Sequence, residues 1–419
     1  MITPYATCRL RQALTVLVLL LVSGMVAPRA EARPLLLFDV SSGEVLLEHE
    51  AGDAWYPASL TKLMTAYLTF ESLAKGSLKL DQKLTVPAEV LKIPPSKLGM
   101  KPGTTVPVDL ALRAMLVYSA NDMAFTLAEA QGGHDAFVAR MNDAAKQLGM
   151  STTHYVNPHG LFDPGQVSSA RDLGVLAAAI ISKYPQYQHY FAEPYIQIGK
   201  RKLKNRNMLL RQMPDADGMK TGFVCPSGFN LVASATRNGR RLVAVVLGTS
   251  TAYARADAAQ ALLEFGFATP SGKRTETLTS INDLPDPPQN LKEAVCLTGI
   301  KTADTSQLTG WGVSFGRVKG IVKADATLTA TEAVTGGALE KVPTGLVRVP
   351  ASKTDYLALA WGLEQQHTVQ LCNYLKALNR YCEPLNPESL ATFRTIAGKQ
   401  GKPEPAAARP KKPDPDLGE

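Results

Sequence analysis

The sequence is poor in the groupings that announce several common chemistries. Its six histidines, His49, His134, His154, His159, His189 and His367, are scattered, and with only five cysteines they form no cluster of metal-ligand spacing. They also fall into no Ser-His-Asp arrangement, so surface and packing roles are expected of them. No block of lysines is interleaved with aromatics, which argues against nucleic acid as a partner. Charge is only mildly unbalanced: 45 Lys+Arg against 37 Asp+Glu give +8, which suits an acidic polymer but serves solubility equally well. The apolar run from Ala13 to Val22 is too short for a comfortable transmembrane helix. With Arg9 and Arg11 before it and Ala30-Glu31-Ala32 after it, the run reads as a secretory signal peptide over residues 1–32, with an uncleaved anchor as the competing reading. The mature chain is then expected to start near Arg33, outside the cytoplasm. There the cysteines other than Cys8 are free to pair.

What is present is ordinary globular material, 45% hydrophobic and 20% charged over 419 residues, enough for two domains. One stretch organises it: Pro57-Ala58-Ser59-Leu60-Thr61-Lys62, followed by good helix formers. Pro57 predicts a helix start, and positions three apart share a helix face, so the Ser59 hydroxyl is expected beside the Lys62 amine. The unpaired N–H groups of a helix N-terminus add an anion-stabilising environment. By itself Ser-x-x-Lys is equally a capping serine and a solvated lysine.

In chain order, Leu35–Val40 and Glu44–Glu48 predict a hairpin over Ser41-Ser42-Gly43. Residues 84–106, with Pro87, Pro94, Pro95 and Pro102, read as loops. Helices are expected over Leu110–Tyr118, Met123–Ala130, Ala136–Leu148, residues 170–184 and Asp257–Phe265. Gly228–Ala235 and Arg241–Leu247 predict strands joined at Asn238-Gly239. A hairpin, a helical insertion and a second hairpin make an α+β domain whose antiparallel sheet draws strands from both ends.

Two further motifs sit where this layout can use them. Ser119-Ala120-Asn121 lies at a break between helices, and Lys220-Thr221-Gly222 leads into the sheet. The first offers a hydroxyl for proton relay and an amide for a substrate carbonyl. The second offers a cation and a hydroxyl for a carboxylate, with Gly222 giving a ligand room to approach. Each alone is also a loop serine, a capping asparagine or an exposed lysine.

Ser-x-x-Lys, Ser-x-Asn and Lys-Thr-Gly in this order are the signature of the β-lactamase/transpeptidase-like fold. Residues 33–267 more narrowly resemble the D-alanyl-D-alanine carboxypeptidases, the low-molecular-mass penicillin-binding proteins. The words Asn157-Pro158-His159-Gly160-Leu161, Ser169-Ala170-Arg171-Asp172, Asp217-Gly218-Met219-Lys220-Thr221-Gly222-Phe223 and Gly228–Ala235 carry that resemblance. It implies removal of the terminal D-Ala from peptidoglycan stem peptides through a Ser59 acyl-enzyme. Lys62 would be the base, its pKa lowered by burial and by the nearby cation Lys220. Ser119 would relay a proton to the leaving amine, Asn121 would hold the peptide, and Lys220 and Thr221 would hold the terminal carboxylate. The backbone N–H groups of Ser59 and Phe223 would receive the oxyanion. Penicillins and other β-lactams would be covalent inhibitors, and neither metal nor organic cofactor is called for. Phe223 stands where some members carry histidine, and Cys225-Pro226-Ser227 replaces a more usual turn, which bears on peptide preference. A DD-endopeptidase and a β-lactamase share the fold, although no motif supplies a dedicated deacylating group for the latter. A non-catalytic wall-binding protein is the reading from another class, against which the intact Ser59, Lys62, Ser119 and Lys220 speak.

Residues 268–308 are rich in Thr, Ser, Asp and Pro and are expected to be a linker. The β-sandwich that usually follows these enzymes is not recognisable. Residues 309–387 instead read as βαββαβ, a ferredoxin-like plan. They resemble the SPOR domain, which implies binding to peptidoglycan glycan strands; Tyr356, Gly362, Leu371-Cys372, Leu375-Lys376 and Cys382 carry the likeness. Cys372 and Cys382 flank one helix-to-strand turn and are expected to form a disulfide. Cys225 and Cys296 are a second candidate pair whose distance nothing in the sequence fixes. Residues 388–419 are expected to be a disordered tail without a membrane-anchoring amphipathic helix, and the protein to be periplasmic.

Overall fold

The computed structural model describes residues 33–397, apart from 273, 285 and 351; the expected signal peptide and the end of the expected tail lie outside the described residues. Strands β1 (Leu35–Asp39) and β2 (Val45–His49) form the first hairpin. A 3-10 turn (Ala58–Thr61) then runs into helix α1 (Lys62–Ala74). Short strands β3 (Lys83–Thr85) and β4 (Thr105–Pro107) pair with each other inside the stretch expected to be only loops; Val106 is fully buried, and that burial pins the second strand. Helices α2 (Val108–Val117), α3 (Asn121–Glu129), α4 (His134–Gln147) and α5 (Ala170–Lys183) follow where their periodicity places them. The side chain of Ser169 caps α5 by accepting from the N–H of Asp172.

After a short helix α6 (His189–Ala192), the hairpin of β5 (Tyr195–Ile198) and β6 (Arg201–Lys204), and one turn of helix α7 (Leu209–Gln212), the chain returns to the main sheet. It enters as β7 (Ala216–Val224), β8 (Gly228–Arg237) and β9 (Arg240–Thr249). The antiparallel sheet runs β2-β1-β9-β8-β7, so the strand carrying Lys220-Thr221-Gly222 is an edge. Both faces of its centre are buried, which explains why β1 and β9 are almost continuously apolar. Leu36, Phe38, Val243 and Val245 face the helices α1 to α5, whereas Leu35, Leu37, Leu242 and Ala244 face helix α8 (Ala252–Ala268).

Residues 268–308 lie against this domain. Thr277 and Leu284 bridge to Glu44 and Asp53, the Glu44 carboxylate accepts from the N–H groups of Gly272 and Arg274, and Cys296 is disulfide-bonded to Cys225. Leu291 and Val295 are buried in the apolar core between the main sheet and helices α1 to α5.

The C-terminal module is β10 (Trp311–Lys319), α9 (Ile321–Val334), β11 (Thr344–Arg348), β12 (Asp355–Leu363), α10 (Gln365–Ala377) and β13 (Glu383–Leu385), with the antiparallel order β11-β12-β10-β13 of a ferredoxin-like fold. A disulfide joins Cys372 and Cys382. The expected tail starts too early: residues Pro387–Ala397 form helix α11, because Leu390 has an apolar surface to bury beside Leu359 and Trp361 on the sheet face away from α9 and α10. Helices α8 and α9 pack against each other through small residues. Ala261 of α8 belongs to the module's apolar core and Ala333 of α9 to the apolar cluster on the α8 face of the main sheet. Among the described residues no helix is long and apolar enough to cross a membrane.

Enlarging either contact side chain should strain both halves. Ala261→Leu and Ala333→Leu are each expected to destabilise the chain by about 1–3 kcal/mol through overpacking, measured as a lower denaturant midpoint at unchanged slope. An unchanged midpoint in both variants would show that the α8–α9 contact is loose.

Candidate active site

The nucleophile candidate is set by what precedes it. Buried Trp55 donates its indole N–H to the carbonyl of Ser227 (3.1 Å), and Asn230 donates to the carbonyl of Tyr56 (3.1 Å), fixing the chain as it enters the 3-10 turn. Gly222 of β7 lies against that turn: a Cβ there would stand 2.8 Å from the carbonyl of Pro57 and 3.2 Å from the N of Ser59. The space expected to admit a ligand is therefore filled by the chain's own backbone. On the other side, Gly160 has φ of +81°, and a Cβ would collide with the carbonyl of Ala58. The Ser59 turn is thus gripped between an edge strand and the 157–161 turn, each through a glycine.

Lys62 opens α1 and is fully buried. Its Nζ donates to Ser59 Oγ (2.8 Å), Asn121 Oδ1 (2.7 Å) and the carbonyl of His159 (2.5 Å). Burial lowers its pKa to about 7, partly opposed by the Asp122 carboxylate. The expected second cause, the charge of Lys220, is not what shifts it. The repulsion is felt by Lys220, whose pKa lies well below the ordinary lysine value through burial first, then through Lys62, Arg255 and Arg206.

Lys220 is also fully buried and donates to Ser119 Oγ (3.0 Å) and the carbonyl of Thr221 (2.9 Å). Ser119 holds φ of +67°, a left-handed conformation uncommon for a residue with a side chain, and its hydroxyl lines the same small cavity as Ser59. Asn121 and Phe223 line that cavity too; Thr221 is buried in β7 beside Lys220. The amide of Asn121 is engaged at both ends, accepting from Lys62 and donating to the carbonyl of Pro94 (3.0 Å). In this state it orients the lysine.

Several residues that build the site have no motif of their own. Asp122 is buried and accepts from the N–H groups of Leu98 (2.9 Å) and Gly99 (2.8 Å), tying the 96–99 loop to the start of α3. Arg255 of α8 is buried under β7, donates to the carbonyl of Gly222 (3.3 Å), and has its pKa lowered to about 9 by burial and Arg206. His159, expected in a surface or packing role, supplies its carbonyl to Lys62, while burial lowers its ring pKa to about 3, leaving a neutral imidazole. The word Asn157-Pro158-His159-Gly160-Leu161 carried that signal, although only as a resemblance.

Residues 22–251 match the peptidase S11 family, described as D-alanyl-D-alanine carboxypeptidase. This chain belongs to that family. Its relatives include the D-alanyl-D-alanine carboxypeptidase DacC of Escherichia coli, 37% identical over 249 residues, 58% of this chain and 62% of the relative. DacA of Haemophilus influenzae is 38% identical over 251 residues, 58% of this chain and 64% of the relative. The match therefore spans less than two thirds of each relative. Among solved structures, penicillin-binding protein 5 of H. influenzae aligns with a TM-score of 0.55 at 37% identity, covering 58% of this chain and 73% of that one. The ampicillin-bound penicillin-binding protein D2 of Listeria monocytogenes aligns with a TM-score of 0.52 at 35% identity, covering 56% and 97%. Every site residue expected from the motifs lies in the matched region, whereas Arg255 and the C-terminal module lie outside it.

Because Gly222 abuts the backbone of the turn at Pro57, Ser59 and Leu60, Gly222→Ala should push β7 off Ser59. The expected result is a loss of about 10²-fold in acylation of Ser59 by labelled penicillin, the scale of a 1 Å misplacement. Near-wild-type acylation would mean that the approach is not what positions the serine.

Proposed function

We propose that this protein is a serine-type D-alanyl-D-alanine carboxypeptidase acting on peptidoglycan stem peptides outside the cytoplasm. The observation that carries the reading is a buried amine with a pKa near 7, 2.8 Å from the hydroxyl of Ser59. A neutral Lys62 takes the Ser59 proton as Oγ attacks the carbonyl of the penultimate D-Ala, and negative charge develops between the backbone N–H groups of Ser59 and Phe223. Expulsion of the terminal D-Ala needs a proton on its amine, supplied through Ser119. Water then cleaves the acyl-enzyme by the reverse assignment of roles.

The edge of β7 is open, so an extended peptide is placed along it with its terminal carboxylate at Lys220 and Thr221. Burial and the neighbouring cations lower the pKa of Lys220, and a carboxylate bound beside it would favour its charged form. Penicillins acylate the same oxygen, in line with the ampicillin complex of the Listeria relative. Residues 309–387 are assigned to glycan strands of the same polymer.

The test is release of D-Ala from a D-Ala-D-Ala peptide, together with labelling by fluorescent penicillin. Ser59→Ala should abolish both, and Lys62→Ala should slow acylation by about 10²–10⁴-fold. Since the lysine must be unprotonated to act, kcat/KM should fall about tenfold per pH unit below pH ~7 and level off above it, where an unperturbed amine would place this limb near pH 10.4. Labelling that survives Ser59→Ala, or a limb near pH 10, would refute the assignment.

A further inference from the structure

The reaction cavity does not end at Phe223. It continues into a larger cavity of about 450 Å³ that shares Pro95, Leu161, Phe223 and Val224 with it. The far wall comes from outside the family match, from Asn290 and Lys292 of the 268–308 segment. That wall is fixed in place. The N–H of Leu291 donates to the carbonyl of Pro226 (2.9 Å), Leu291 and Val295 are buried in the catalytic core, and the Cys225–Cys296 disulfide ties the segment to the β7–β8 turn. The side chain of Asn290 accepts from the N–H of Lys292 (3.0 Å), shaping the bend that presents the lysine. Lys292 is exposed and, among the described residues, is the only charged one lining this cavity.

We infer that residues 290–292 form a substrate subsite in which Lys292 receives a carboxylate carried just upstream of D-Ala-D-Ala. This rests on the carboxypeptidase reading above. With the terminal carboxylate at Lys220 and Thr221 and the scissile carbonyl beside Ser59 and Phe223, a peptide along the edge of β7 meets Val224 and Cys225 next. Its upstream residues therefore enter the larger cavity, since an extended chain advances about 3.3 Å per residue. The walls there are apolar (Leu161, Phe162, Pro226) and suit the aliphatic part of a side chain, and Lys292 suits an acidic end. The unusual Cys225-Pro226-Ser227 turn gains a purpose: its cysteine anchors the segment that carries the lysine.

Two peptides differing only upstream of D-Ala-D-Ala, one with a glutamyl residue and one with glutaminyl, decide the matter. The full-length enzyme should favour the acidic peptide by about fivefold in kcat/KM, chiefly through KM, with the preference shrinking as salt is raised. Lys292→Ala should bring the ratio close to one, Lys292→Arg should keep it, and Lys292→Glu should invert it. The Cys225→Ser, Cys296→Ser double variant should also lose the preference, because the wall is no longer tied to the turn. Equal use of both peptides by the wild type, or a preference that survives Lys292→Ala and Lys292→Glu, would overturn the subsite and leave the carboxypeptidase reading intact. Release of D-Ala from neither peptide would overturn both.

Discussion

The structure depends on keeping one amine dry. Among the described residues no carboxylate contacts Lys62; it is held by a hydroxyl, an amide oxygen and a backbone carbonyl, three neutral acceptors that solvate an amine without fixing its proton. An acidic partner in contact would raise its pKa and make it useless as a base near neutral pH. The Asp122 carboxylate accepts instead from the N–H groups of Leu98 and Gly99, and its charge opposes the effect of burial on Lys62 only in part. Each acceptor comes from a different part of the chain: the Ser59 turn, the α2–α3 junction and the 157–161 turn. Helical insertion and sheet must both be assembled before the amine is enclosed, which ties catalytic competence to complete folding.

The same logic extends outward as a stack of cations. Lys220 feels the charges of Arg255 and Arg206, and Arg255 feels that of Arg206, an arrangement that is unfavourable in the empty site. Coulomb repulsion of this kind is relieved by an anion, which is the physical basis for the proposal that a substrate carboxylate is held there. The edge position of β7 makes room for it, and the two glycines facing the Ser59 turn keep the serine level with that edge.

Much of this was legible in the sequence because the residues proposed to do the chemistry are short-range words: Ser59 and Lys62 three apart on a helical turn, Ser119 and Asn121 at a helix break, Lys220 through Phe223 on a strand. The strands and helices followed from alternation, periodicity and the Asn238-Gly239 turn. What stayed hidden was contact between distant segments. No local pattern shows that His159 contributes a carbonyl, that Gly222 serves backbone approach, or that Arg255, 33 positions further on, sits under the carbonyl of Gly222. Helix α11 was missed because its apolar residues are sparse (Leu390, Phe393) and a Pro-rich run follows; it forms because a sheet face needs covering.

The C-terminal half shows why composition misleads about tethers. Residues 268–308 have a linker's composition, yet each end of the segment is pinned: by the Glu44 carboxylate near its start and by the Cys225–Cys296 disulfide further on. The module beyond is docked on α8 through alanines, with Arg33 donating to Thr329 (3.0 Å) and Ser250 donating to Asp325 as polar edges of the contact. Small side chains let two helices approach closely and leave little freedom to slide, because the interlocked surfaces on both sides are already close-packed. A module held in this way differs from one on a flexible string. A string raises local concentration in every direction, whereas a docked module presents the cleft in one orientation relative to whatever it binds. If glycan is its ligand, the open edge of β7 then faces stem peptides at a fixed angle, and recognition of the strand becomes part of how the peptide is aimed at Ser59.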